Sequence, residues 1–327
     1  MADRKLPPLA DATSGALGAV VANTLVFPLD VIKTRLQVQS KTLSTLSPHQ
    51  SYTSSSDAFL KIVRTEGIAG LYSGLGAGLL GTVANAFAYF WFYAQVRGWY
   101  SRRIGGEGGI GTGMELGLGA VAGALSQFFT LPISVVTTRQ QTTVKHEQLS
   151  FLQTMKQIRY DEGIQGLWKG LRASLVLCVN PAITYGMFER LKTVWLKRSN
   201  NPDGRLSAGQ VFILGALSKT LATVVTYPYI MAKVRLQWAP PKITDGELSD
   251  DEKESITYKS APDVLRKVFA SEGLAGLYQG MEAQIVKAVL CQAILFVCKD
   301  EISVYTMILL RFLFRNNNKS AVSRVPG

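Results

Sequence analysis

Pro28-Leu29-Asp30-Val31-Ile32-Lys33-Thr34-Arg35-Leu36-Gln37 returns as Pro132-Ile133-Ser134-Val135-Val136-Thr137-Thr138-Arg139-Gln140-Gln141 and again as Pro228-Tyr229-Ile230-Met231-Ala232-Lys233-Val234-Arg235-Leu236-Gln237. A second phrase follows each copy: Glu66-Gly67 to Tyr72-Ser73-Gly74, Glu162-Gly163 to Trp168-Lys169-Gly170, and Glu272-Gly273 to Tyr278-Gln279-Gly280. In all three the aromatic stands five residues after the first glycine, and the second glycine stands seven after it. A period of roughly 100 residues is too long for a solenoid unit and reads as one helical module built three times. The modules are residues 10–103, 110–198 and 206–312.

Hydropathy sets the class. No Asp, Glu, Lys or Arg occurs from Gly67 to Val96, from Leu116 to Thr138, from Ala12 to Leu29 or from Ala173 to Phe188. A bilayer core takes about 20 apolar residues as a helix, and the first two windows exceed that. Buried helices of a soluble bundle seldom carry uncharged faces all round for such a length. The third module is less clean, since Lys219 interrupts one apolar stretch and Glu282 and Lys287 the other. Repeat symmetry nevertheless gives it two long helices. The expectation is an all-α membrane protein with six spans and both termini on one side.

The net charge of +12 raises nucleic acid or anionic lipid as a partner. Lys33, Arg35, Arg102, Arg103, Lys192, Lys197, Arg198, Lys233 and Arg235 sit at helix ends and form no single basic domain. Lipid anchoring and attraction of an anionic solute explain that distribution better than nucleic acid does. Cys178, Cys291 and Cys298 lie in apolar stretches and read as small core residues, with no disulfide framework or metal site. His49 and His146 both fall in polar loops, and the carboxylates are scattered, so neither a membrane enzyme nor a bound cofactor is expected. Met1 to Asp11 has no secretory pattern and Ser323 to Gly327 no peroxisomal tail address, which places targeting inside the chain.

Within each module the first helix runs past its proline. Thirteen residues before Pro28, Pro132 and Pro228 stand Gly15, Gly119 and Gly215; nine before stand Ala19, Gly123 and Lys219. Small residues four apart let helices approach closely in lipid, and Lys219 departs from that rule. The prolines should kink their helices and draw the three ends together. Polar stretches follow at Leu43 to Ser56 and Lys242 to Ser255, then short amphipathic helices at Ser56 to Thr65, Phe151 to Tyr160 and Ala261 to Ala270 that would lie along the membrane surface.

Taken together the two phrases resemble the signature of the mitochondrial carrier family over nearly the whole chain. That resemblance implies two gates. In the first, an acid two residues after the proline joins a base five after it on the neighbouring module. The acid sites map to Asp30, Ser134 and Ile230, the basic sites to Lys33, Thr137 and Lys233, and no family pairing among them is an ion pair. The glutamines that brace those pairs are intact as Gln37, Gln141 and Gln237. The second gate maps to Ala94 with Arg97, Glu189 with Lys192 and Asp300 with Ser303, so that only Asp300 with Arg97 survives. Depleted rings would lower the barrier to opening; alternatively the lone charges are solvated helix ends.

Substrate would bind near the midplane between repeats. Five residues before each proline stand Asn23, Gln127 and Thr223, three polar groups at one height in apolar helices. The family's contact points on the even helices map to Gly81, to Val176 or Leu177, and to Lys287. A lysine at a span centre costs about 2.5–3.5 kcal/mol to insert and normally faces a cavity. Lys287 and Lys219 together would suit phosphate groups. The alternatives are a structural pair of Lys287 with Glu282 or Glu189, and snorkelling of Lys219. Tyr89 to Tyr93 form an unbroken aromatic run from which one ring could stack on a nucleobase. Leu175 to Tyr185, Val135 to Thr142, and Gly280 to Gln284 with Lys287 resemble the peroxisomal, adenine-nucleotide branch of the family. The resemblance implies a monomeric carrier exchanging cytosolic ATP for luminal AMP or ADP across the peroxisomal membrane, in support of fatty-acid activation and β-oxidation. The alternative is a carrier of coenzyme A, FAD or NAD, there or in the mitochondrial inner membrane.

Overall fold

A computed structural model describes residues 8–40, 51–103, 111–199, 206–240, 256–291 and 293–294. It resolves into two compact units, Phe27–Ala288 and the pair of segments Met1–Val26 and Val289–Gly327. Everything below lies in the first unit unless stated. Among the described residues the regular structure is helical, with no strand, in three corresponding sets. Repeat 1 holds α1 (Pro8–Val38), α2 (Ser55–Glu66) and α3 (Leu75–Arg103). Repeat 2 holds α4 (Thr112–Thr142), α5 (Phe151–Glu162), α6 (Leu171–Leu177) and α7 (Asn180–Ser199). Repeat 3 holds α8 (Ala208–Gln237), α9 (Ala261–Leu277) and a final helix at 281–291.

Four segments among the described residues are long and apolar enough to cross a membrane: Ile68–Arg103, Thr112–Thr142, Ile164–Arg198 and Gly209–Gln237. Pro28, Pro132 and Pro228 all lie inside unbroken helices. The fourth span is not one helix, contrary to the apolar window read from its sequence. It stops at Leu177 and restarts at Asn180. Pro181 explains the break, because it has no N–H to offer the carbonyl of Leu177 and its ring crowds that turn. The remainder of the sixth span, with Cys298, Asp300 and Ser303, lies outside the described residues, as do His49 and most of the two polar stretches.

The surface helices form where a serine caps an amphipathic run. Ser54 accepts from the Asp57 amide, Ser150 and Gln153 form a reciprocal box, and Ser260 accepts from the Asp263 amide. Each such cap contributes about 1 kcal/mol. Their inner faces bury Ala58 and Ile62, Thr154 and Ile158, and Val264 and Val268. These pack on the ends of α1, α4 and α8 through Val31, Leu36, Val135, Val136, Met231 and Ala232. In repeat 3 the stretch Ala261–Leu277 is two helical pieces that meet at Gly273, whose φ of 68° and ψ of -160° are not helical.

The glycines of the second phrase set the turns. Gly67, Gly163 and Gly273 have φ of 71°, 73° and 68°, and Gly74, Gly170 and Gly280 have 78°, 81° and 78°. Backbone at such positive φ costs an L side chain about 1–3 kcal/mol. The second set also lies against the neighbouring repeat. A Cβ on Gly74 would stand 3.1 Å from Gln140 Cβ, one on Gly170 3.4 Å from the Lys233 carbonyl oxygen, and one on Gly280 3.2 Å from the Lys33 carbonyl oxygen.

Candidate functional site

The ends of α1, α4 and α8 are bound to one another by a cyclic set of contacts made by the arginine and glutamine of the repeated decapeptide. Arg35 Nε donates to the Gln141 carbonyl at 3.0 Å, Arg139 Nε to the Gln237 carbonyl at 2.8 Å, and Arg235 Nε to the Gln37 carbonyl at 2.8 Å. Each arginine therefore reaches the next repeat through main-chain oxygen. Each is also held by the glutamate of its own repeat. Arg35 pairs with Glu66, Arg139 Nη2 lies 2.7 Å from Glu162, and Arg235 Nη2 lies 3.1 Å from Glu272. Arg235 is buried to 1% exposure and also reaches Tyr258, Gln39 and Gln279. A planar five-donor group suits so many fixed acceptors.

The glutamines cross the same seams with their side chains. Gln141 Oε1 accepts from Thr34 at 3.0 Å. Gln237 Oε1 accepts from Thr138 at 3.0 Å, and its amide donates to Ser134 Oγ at 3.2 Å. The third copy carries Val234 where the others have Thr34 and Thr138, and Tyr227 takes over. Its hydroxyl accepts from Gln37 Nε2 at 2.9 Å and donates to the Gln279 carbonyl at 2.7 Å. The aromatics of the second phrase brace this level: Tyr72 stacks on Phe27, Tyr278 on Tyr227, and Trp168 Nε1 donates to the Phe128 carbonyl.

Burial pushes the Glu66 carboxyl up, but hydrogen bonds from Arg35, that guanidinium's charge and the Lys145 amide outweigh it and hold Glu66 below the usual carboxylate range. Glu162 follows the same pattern, with burial opposed by Lys169 and Arg139. In the sequence, Arg35 and Arg235 read as helix-end charges, Arg139 goes uncounted among them, and none of the three glutamate partners is foreseen. The signal was present, since Arg35, Arg139 and Arg235 each stand two residues before a repeated glutamine and each later phrase opens on Glu.

The ion ring reads differently from any pairing the sequence suggested. Asp30 accepts from Lys33, on its own helix, at 3.0 Å and from Lys287 at 2.6 Å. Lys287 therefore pairs with Asp30 and not with Glu282 or Glu189. Glu282 accepts from Ser55 at 3.4 Å, and Glu189 lies 3.6 Å from Lys192 on the same helix. Lys233, partly buried, has no carboxylate within ion-pair distance among the described residues, and it lies within electrostatic reach of Lys33. Ser134 has no charge to offer it and is engaged by Gln237. Toward the other helix ends Arg97 pairs with Glu115 at 3.1 Å, and Tyr93 also donates to Glu115. Glu115 was absent from the sequence reading, and Asp300, the partner expected for Arg97, lies outside the described residues.

Lys219 and Lys287 are not brought together by any described contact. Lys219 is exposed in a cavity of about 390 Å³ lined by Pro181, Thr184, Tyr185, Phe188, Gly215 and Ser218. Thr223 is buried and donates to the Lys219 carbonyl at 2.7 Å, while Gln127 is half-buried. Asn23 is half-buried in the second unit. A Cβ on Gly81 would stand 3.5 Å from Ile133, Leu177 is half-buried, and Val176 is 51% exposed. In the aromatic run, Phe90 and Trp91 are exposed, whereas Tyr89 lies 3.1 Å from where a Cβ of Gly119 would stand. Asn180, freed by the helix break, donates to Thr226 at 3.1 Å and joins repeat 2 to repeat 3. Among the described residues no group of three His, Cys, Asp or Glu could hold a metal ion.

The family model described as mitochondrial carrier protein matches residues 4–103, 110–199 and 204–308. The chain is 37% identical to peroxisomal adenine nucleotide transporter 1 of Saccharomyces cerevisiae, over 94% of this chain and 94% of that one. It is 34% identical to mitochondrial substrate carrier family protein Q of Dictyostelium discoideum, over 97% of this chain and 94% of that one. It is 30% identical to a peroxisomal nicotinamide adenine dinucleotide carrier of Arabidopsis thaliana, over 92% and 97%.

Proposed function

This chain belongs to the mitochondrial carrier family, and on that premise we propose that it moves adenine nucleotides across the peroxisomal membrane, exchanging cytosolic ATP for luminal AMP or ADP. It is a multi-pass carrier working by alternating access, and it supplies ATP for fatty-acid activation.

The observation that carries the reading is a surplus of ammonium groups around one carboxylate. Lys33 and Lys287 both lie on Asp30, and Lys233 stands nearby without a carboxylate of its own among the described residues. Phosphate chains are the common metabolite groups whose several negative oxygens match such point-charge donors. Lys219 adds a further cation in a cavity that Tyr185 and Phe188 also line. Gln127, Thr223, Gly81, Val176 and Leu177 are assigned to the substrate path by their symmetric positions in the sequence, and Asn23 by the same count. The names borne by the Saccharomyces relative, and by peroxisomal adenine nucleotide carriers of Glycine max and Arabidopsis thaliana, support the adenine nucleotide and the organelle.

The test is counter-exchange in liposomes preloaded with ATP, AMP, coenzyme A or NAD. Uptake of labelled ATP driven by internal AMP is the expected result. Exchange of coenzyme A or NAD with no ATP uptake would overturn the assignment and favour the dinucleotide reading that the Arabidopsis NAD carrier supports.

A further inference from the structure

We infer that the seam between repeats 2 and 3 binds a small inorganic anion, chloride, which sits on the Lys233 ammonium in place of a carboxylate that Ser134 does not supply. The site is separate from that of the cargo. With the anion in place, Lys33 and Lys287 still outnumber the one carboxylate they share, Asp30.

The first observation is a cation without a counter-charge. The Gln237 amide lies 3.2 Å from Ser134 Oγ, and Gln237 stands one turn after Lys233 on the same face of α8. An acid at Ser134, like Asp30 at the equivalent place in repeat 1, would bring a carboxylate to that face. Lys233 instead makes no hydrogen bond or ion pair among the described residues. It also lies within electrostatic reach of the Lys33 ammonium, which adds repulsion. A charge drawn out of water without a partner is costly, and a mobile anion is the remedy open to a lysine that has no acid. Lys233 is half-buried, which leaves such an ion a way in.

The second observation is independent of the first. Ser174 is 2% exposed, and its Oγ has no hydrogen-bond partner among the described residues. A buried hydroxyl in that condition has given up water for nothing. Its neighbours fix where it lies. Gly170, Ser174 and Cys178 are four apart along α6 and its two caps, and so share one stripe. A Cβ on Gly170 would stand 3.7 Å from Lys233 Cγ, and Cys178 is within electrostatic reach of Lys233. Ser174 falls between them. Internal symmetry agrees: Gly78 and Ser174 each stand four residues after the second-phrase glycine, as Thr137 and Lys233 each stand five after the proline. A Cβ on Gly78 would lie 3.8 Å from Thr137.

The seam thus offers one full positive charge and one hydroxyl proton. A singly charged ion suits that pair better than a phosphate chain, whose several oxygens would each need a donor. Held by Ser174 on one side and Lys233 on the other, the ion fastens α6 to α8 across the seam, and it stabilises the arrangement that keeps the two together.

The test is thermal unfolding of the purified full-length chain while sodium chloride replaces sodium gluconate at constant ionic strength. The wild-type midpoint should climb and level off, gaining about 2 °C at ten times the half-saturating chloride concentration. Lys233→Gln should lose the climb. Ser134→Asp should lose it too, while starting from a higher midpoint in gluconate, because a fixed carboxylate takes the place of the ion; this arm stands even if Lys233→Gln does not fold. Ser174→Ala should need about fivefold more chloride for half the effect. Lys156→Gln, on the exposed face of α5, should climb as wild type does. A wild-type midpoint indifferent to chloride overturns the inference, and so does an equal climb in wild type, Lys233→Gln and Ser134→Asp. A climb with inorganic phosphate or ATP alone, lost in Lys233→Gln, would give Lys233 to the cargo and overturn it as well. None of these results bears on the transport reading, which the liposome exchange decides.

Discussion

Glu272→Gln removes a charge and leaves shape intact, which makes it the sharpest probe of the arginine seams. Arg235 is almost wholly buried, and Glu272 is its only ion-pair partner among the described residues, with a side chain 9% exposed. Loss of one partner from a buried pair costs about 3–5 kcal/mol, because the remaining charge has nowhere to go. The unfolding entropy of a chain this long is about 0.7 kcal/mol per kelvin, so the melting midpoint should fall by roughly 4–7 °C. The assay is thermal unfolding of detergent-purified protein followed with a thiol-reactive dye, for which Cys178 and Cys291 are free reporters. Glu162→Gln should cost less than half as much, since Arg139, Lys169 and Glu162 are more exposed, at 14%, 43% and 17%. Glu282→Gln serves as the solvated control, and a Glu272→Gln midpoint indistinguishable from it would refute the claim that Arg235 depends on Glu272.

Three further outcomes follow. Ser134→Asp offers Lys233, which has no carboxylate partner among the described residues, a new one, and should raise the melting midpoint by a few degrees while slowing exchange in liposomes; unchanged rate and midpoint would show that this level carries no gate. Gly280→Ala should cost about 1–3 kcal/mol, seen as a lower midpoint, from its left-handed backbone and the Lys33 carbonyl 3.2 Å away, whereas Gly67→Ala meets nothing within 4 Å and should show the backbone strain alone. Glu66 and Glu162 are held below their ordinary value of 4.5, so they stabilise the folded chain above that pH and cease to do so as pH falls through their lowered values. Melting midpoints should therefore be flat near neutrality and drop below about pH 4.5, and Glu66→Gln should shallow that acid limb.

Much of this architecture was legible because repetition amplifies weak signals. One copy of Pro28 to Gln37 says little, but three in register fix the modules, the surface helices and the turns. The glycines of the second phrase could be counted, yet their left-handed φ and their approach to the neighbouring repeat follow from packing and not from spacing. The break at Leu177 was hidden because Asn180-Pro181 sits in an otherwise apolar window, and hydropathy is blind to a missing N–H. Lys287 stood out by the cost of its burial. Its partner did not, because a residue 257 positions away is chosen by the fold and not by local pattern. Tyr227 was missed for a related reason: it replaces a threonine seven residues further along the helix, so no alignment of like with like would find it.

Because Arg35, Arg139 and Arg235 all grip peptide oxygens of the following repeat, that part of every junction survives substitution of the receiving side chain. No change of side chain at position 37, 141 or 237 can delete the acceptor. What a side-chain change can remove is the arginine donor, or the glutamine bond to Thr34, Thr138, Ser134 or Tyr227. The three modules are therefore joined at the peptide level even though Ser134, Thr137 and Ile230 bring no charge to their ends.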